Sequence, residues 1–122
     1  MVEEAIDGEI LLNQPAGHLE RDETLVEAMV RETMEETGWE VTPVSISGIY
    51  HYRAKTITYH RFTFIAEPVA QRTLDLDPDI TACHWLSLED LGSWQHRSPI
   101  VQRCVDDYLA GQRAPLDLLT HL

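Results

Sequence analysis

Residues 17–39, GHLERDETLVEAMVRETMEETGW, constrain this chain more than any other stretch. Glu32, Glu35 and Glu36 lie three and four residues apart, just after Arg31. On a helix turning about 100° per residue they fall within an arc of roughly 100°. Like charges crowded on one helix face repel and weaken the helix. A fold that keeps them together is expected to neutralise them. A hard divalent cation such as Mg²⁺ does this, because it takes oxygen ligands.

The helix is expected to begin at Thr24, where Thr24 and Glu27 form a T-x-x-E capping box. It is expected to end at Thr37, with Gly38 in the left-handed position beyond it. Leu25, Val26, Met29, Val30 and Thr33 spread over one side, offset from the carboxylates. That side is expected to pack on a sheet.

Strand-like pieces precede the helix at Val2–Ala5 and Ile10–Leu12, joined through an Asp7-Gly8 turn. The loop Asn13–Gly17 then leads into the helix. After it, Trp39–Val44 and Ser45–Tyr52 read as two strands separated near Pro43. Thr56–Ala66 alternates, is rich in β-branched and aromatic residues, and is expected to pair with the strand before it across an Arg53-Ala54-Lys55 turn. Glu67–Ile80 reads as an acidic loop with Asp75, Asp77 and Asp79 at every second position. Thr81–Leu86 reads as a strand, and Ser87–Asp90 starts a short helix. Ser98-Pro99 starts a longer one, with serine as N-cap and proline at the first helical position. Its apolar stripe is Ile100, Val101, Cys104, Val105, Tyr108 and Leu109, and Gly111 ends it. One helix in the middle of the order and one near its end, around a mixed sheet, predict an α/β sandwich. The length of 122 residues suits one domain over 1–122.

Net charge is −12, and Lys55 is the single lysine. This argues against nucleic acid or an anionic membrane as a partner. A small phosphorylated substrate remains compatible if a metal or a few arginines supply local counter-charge. No apolar run approaches membrane-spanning length, and the start MVEEAIDGE lacks a basic leader region. Cys83 and Cys104 lack metal-ligand spacing and sit in apolar contexts. They are expected to be buried free thiols, which with the other features predicts a cytoplasmic protein.

Gly17, Glu23, Arg31, Glu32, Glu35, Glu36 and Gly38 spell G-x5-E-x7-R-E-x-x-E-E-x-G. This resembles the signature of the Nudix hydrolases, G-x5-E-x7-R-E-U-x-E-E-x-G-U with U bulky and aliphatic. All seven fixed positions match; Thr33 and Trp39 occupy the two U positions. A solvated acidic helix would account for the charges but not for both glycines and the arginine. The segments NQPAGHLERDETLVEA, RSPIV and Gly-Gln-Arg-Ala-Pro-Leu are similar to the bacterial NudJ-like phosphatase group. That group acts on nucleoside di- and triphosphates and on pyrophosphates of thiamine and its pyrimidine precursor. Many family members carry W-x-x-P-G-G before the box; here Leu12 replaces the tryptophan and Ala16 the first glycine.

The resemblance implies a Nudix-type α/β/α sandwich. The family usually places about one more strand before Val2–Ala5, so the sheet is expected to lack an N-terminal strand. The edge left open would favour pairing with a second copy, and the oligomeric state stays undecided. It further implies that the Gly17 carbonyl, Glu32, Glu35 and Glu36 hold a divalent metal, Mg²⁺ with Mn²⁺ as the alternative. Arg31 would orient a carboxylate, with Glu23 as its partner. Water would attack phosphorus in a pyrophosphate linkage, with Glu35 or Glu32 as base. Asp79, six residues before Trp85, is a candidate additional metal-binding acid or a solvated loop aspartate. His18 is placed to reach phosphates. Tyr50, His51, Tyr52, His60 and Arg61 lie on paired strands, so about half of them face the site; His51 and Arg61 are the substrate-binding candidates among them. Two other readings are a Nudix hydrolase acting on ADP-ribose or a dinucleoside polyphosphate, and a regulatory domain that only binds nucleotide. The intact box carboxylates count against the second.

Overall fold

The computed structural model describes residues 1–122. Two three-stranded sheets form its frame, in the orders β2-β1-β5 and β4-β3-β6. In the first, β1 (Val2–Ile6) pairs antiparallel with β2 (Glu9–Asn13) and with β5 (Ile80–Cys83). The β1–β2 turn is Asp7-Gly8, both at positive φ (51° and 81°), the geometry that two-residue hairpins favour. Every ladder is antiparallel, and the parallel relation expected of a mixed sheet is one bridge, Leu12 to His96. β1 is the central strand of its sheet, and the outer strands are β2 and β5.

The second sheet departs from expectation in its lengths. Residues 39–53 form one strand, β3 (Trp39–Arg53), rather than two. Its pairing with β4 (Thr58–Gln71) shifts register at Glu40/Val41, Pro43/Ser45 and Ile46/Gly48. Irregularities of this kind let a proline sit within a ladder. Pro43 therefore bends the strand without ending it. β4 likewise runs on through Pro68 to Gln71, so the acidic loop is confined to residues 72–79. At the chain end, β6 (Ala114–Pro115) adds to β3 at Ser45 and Ile46.

The helices are α1 (Leu25–Thr37), α2 (Leu88–Gly92) and α3 (Pro99–Leu109). In α1 the Thr24 hydroxyl accepts from the Glu27 amide, and Gly38 closes the helix at φ 75°. Ser98 occupies the N-cap of α3 but makes no side-chain capping bond; Pro99 begins that helix. The core holds Val2, Leu11, Leu12, Ala28, Ile46, Leu91, Ile100, Val101 and Cys104. The predicted α3 stripe is buried only in its first half, since Tyr108 and Leu109 are exposed. The residues buried on α1 are Ala28, Glu36 and Thr37, while its predicted apolar side is half-buried. Both cysteines are free; Cys104 is buried and Cys83 half-buried.

Candidate active site

Burial of a carboxylate on α1 locates the site. Glu36 is 7% exposed, and one of its oxygens accepts from the Ala16 amide at 2.9 Å. Its carboxyl is pushed up to about 7, first by burial and then by the charges of Glu32, Glu4 and Asp77, against the pull of the Ala16 amide. Glu32, Glu36 and Asp77 each bring a carboxylate oxygen to within 4.8 Å of the others.

Asp77 is delivered by the loop after β4, which is strapped to the end of α1. The Arg72 amide donates to the Gly38 carbonyl at 2.7 Å, and the Asp77 amide donates to the Glu35 carbonyl at 2.9 Å. Gly38 fits here on two counts: it adopts a left-handed φ, and a Cβ would overlap the Thr73 carbonyl oxygen. The sequence shows three aspartates at alternate positions, and only these contacts select among them. Asp79 lies in an exposed turn outside the cluster.

Arg31 organises the neighbouring carboxylates. It forks onto Glu23 with two bonds, at 2.7 and 3.0 Å. Its other nitrogen donates to Glu32 at 2.7 Å and to Glu35 at 3.1 Å. The Glu23 carboxyl is held below the ordinary range, chiefly by the hydrogen bond from Arg31. None of the ion pairs of Arg31 reaches Glu36 or Asp77. Gly17 lies against the Glu32 carboxylate, which a Cβ at position 17 would overlap. Glu35 is bound to Arg31 and stands outside the three-carboxylate cluster.

The substrate candidates separate. His18 is exposed, and its carbonyl accepts from Arg31 at 3.1 Å. His51 pairs across the hairpin with His60; both are exposed, with rings edge to face at 4.9 Å. Arg61, opposite Tyr50, points to the other face of the hairpin. It is half-buried and donates to Asn13 at 3.0 Å, and burial pulls its pKa below the ordinary guanidinium value. Tyr50 donates to Asp107 at 2.8 Å, and burial followed by that hydrogen bond raises its pKa. Asn13 and Asp107 were not apparent as neighbours in the sequence, because they come from β2 and α3.

Three crowded carboxylate oxygens, one on a buried side chain and two without an arginine partner, make an oxygen-donor set that fits a hard divalent cation. No helix is long and apolar enough to cross a membrane.

Comparison with known proteins gives the same reading. The family model described as NUDIX domain matches residues 3–104. Phosphatase NudJ of Escherichia coli strain K12 is 43% identical over 122 residues, covering 98% of this chain and 80% of the relative. Phosphatase NudJ of Shigella flexneri matches with the same identity and coverage. A solved structure titled NUDIX hydrolase from Nitrosomonas europaea superposes with a TM-score of 0.93 at 42% identity, covering 99% of this chain and 86% of that one. The chain belongs to the Nudix hydrolase family and is an enzyme of the pyrophosphate-hydrolysing kind, acting on small phosphorylated substrates.

Proposed function

We propose that residues 1–122 act as a single cytoplasmic domain that hydrolyses phosphoanhydride bonds in nucleoside di- and triphosphates or in thiamine-type pyrophosphates. The observation that carries this reading is the clustering of Glu32, Glu36 and Asp77 around one point beside the Gly17 loop. These residues, with the Gly17 carbonyl and Glu35, would hold Mg²⁺ or Mn²⁺. The ion would supply neutralisation of phosphoryl oxygens and lower the pKa of water. Glu35 or Glu32 takes the proton of the attacking water as it adds to phosphorus, and the anhydride oxygen leaves with the departing phosphate. Arg31 and Glu23 keep Glu32 and Glu35 in register. Arg61 offers its guanidinium to the substrate's phosphates, since its one side-chain bond is to the neutral Asn13. His18 and His51 are secondary candidates for outer contacts, and Asp77 rather than Asp79 is the further metal-binding acid.

The test is phosphate or pyrophosphate release from a panel of nucleoside and thiamine pyrophosphates, with product masses determined. We expect release that requires Mg²⁺ or Mn²⁺ and falls about a hundredfold or more in Glu35→Gln. Metal-independent release, or none from the whole panel, would overturn the reading. Products of ADP-ribose or dinucleoside polyphosphate cleavage alone would shift the substrate class within the family.

A further inference from the structure

Asn13, the last residue of β2, ties the first sheet to the second through its side chain. Its Oδ1 accepts from Arg61 Nη2 on β4 at 3.0 Å, and its Nδ2 donates to Glu4 Oε1 on β1 at 3.1 Å. A carboxylate only accepts and a guanidinium only donates, so the two partners fix which end of the amide is oxygen. Glu4 is half-buried and held in turn, with its second oxygen 3.5 Å from Arg97 Nε.

The neutrality of Asn13 matters because of what stands on either side of it. Glu4 and Arg61 carry opposite charges, and the charge of Glu4 reaches both Arg61 and Glu36. A carboxylate in direct contact with Arg61 would form a charge-assisted pair, occupy its donors and cancel its charge. The amide between them uses one end of the guanidinium and leaves the charge uncompensated. The other nitrogens of Arg61 make no bond to the protein, and none of them is sealed from solvent. A ligand beside the carboxylate cluster can therefore reach them.

We propose that Asn13 is a positioning residue: it fixes the Arg61 guanidinium in place and keeps it apart from Glu4, so that its charge and free donors are left for the phosphates of the substrate. This rests on the reading of Arg61 above as a phosphate contact. Asn13 itself touches no substrate and takes no part in the phosphoryl step.

The experiment is calorimetric titration with methylenediphosphonate, a diphosphate analogue whose P–C–P link is not hydrolysed, in Mg²⁺. Asn13→Ala should bind it about tenfold more weakly than wild type. Asn13→Asp still offers an acceptor to Arg61 but adds a negative charge, and should weaken binding at least as much. In an Arg61→Ala background, Asn13→Ala should cost nothing further, because it acts through Arg61. Kinetics on a nucleoside diphosphate should show the same split, with KM raised about tenfold and kcat changed by less than about twofold. Thermal melts confirm that each variant is folded. Wild-type affinity in Asn13→Ala or Asn13→Asp, or a further loss in the Arg61→Ala background, would overturn the assignment. Weak binding by Arg61→Ala beside unaffected Asn13→Ala sinks the positioning role alone. Wild-type affinity in Arg61→Ala sinks the phosphate reading of Arg61, and the role of Asn13 with it.

Discussion

Glu36 carries the largest electrostatic burden in the cluster, being buried and facing Glu32, Glu4 and Asp77. Its folded pKa of about 7 lies above the ordinary 4.5, so the charged form disfavours the folded state. The contribution to stability is therefore full below the ordinary value and is lost as pH rises through about 7. In metal-free protein, Glu36→Gln should stabilise the fold at about pH 8 by on the order of 3 kcal/mol, and by little near pH 4. Urea unfolding at the two pH values measures this; equal stability at both would show that the carboxylate is not strained. Asp77 and Asp79 make a second comparison. Asp77→Asn should weaken Mg²⁺ binding about tenfold or more, whereas Asp79→Asn, altering an exposed turn, should leave it nearly unchanged. Metal titration of the two variants decides, and the opposite order would exclude Asp77 as a ligand. At this scale the sequence is informative wherever chemistry is local. Glu32 and Glu36 lie one turn apart on α1, so their proximity follows from helix geometry, and Gly17 is read from its place in the same motif. Asp77 was visible only as one of three aspartates in a loop, because the bonds that choose it come from the end of α1.

Among the elements, α1 was legible at both ends because its signals are single residues with local effects, the Thr24 hydroxyl and the Gly38 backbone. The strands were harder. Pro43 reads as a break and Glu67–Ile80, with Pro68, as loop, yet both prolines sit in β3 and β4 beside register shifts that spare the ladder. Nothing local to either proline announces that a partner strand will accommodate it. The Gly38 position joins α1 to the loop, so its substitution should have two effects. Gly38→Ala forces a side chain into a left-handed backbone and against the Thr73 carbonyl. It should cost about 2 kcal/mol of stability and also weaken Mg²⁺ binding through displacement of Asp77. Thr24→Ala removes the cap at the other end of the same helix and should cost about 1 kcal/mol while leaving metal affinity unchanged. Denaturant melts paired with metal titration separate these outcomes, and equal metal affinity in both variants would show that the loop is positioned by something else.

For the whole molecule, a net charge of −12 makes self-repulsion a standing term against compactness. A cation that binds only the folded chain opposes it by mass action. Mg²⁺ at a hundredfold over its dissociation constant should add about 2.7 kcal/mol of stability, seen as a rise in Tm that NaCl of equal ionic strength does not reproduce. An identical rise with NaCl would assign the effect to screening alone.

The strap from residues 72–77 onto the end of α1 gives that stabilisation a particular shape. Positions 36 and 77 bracket the complete β3–β4 hairpin. An ion held between them would be a removable clip that ties together the two ends of that hairpin in the folded chain and, unlike a disulfide, is released on unfolding. Chelation would then free both ends of the hairpin as well as emptying a site. Protease cuts between residues 39 and 71 should be among the earliest signs that the ion has gone.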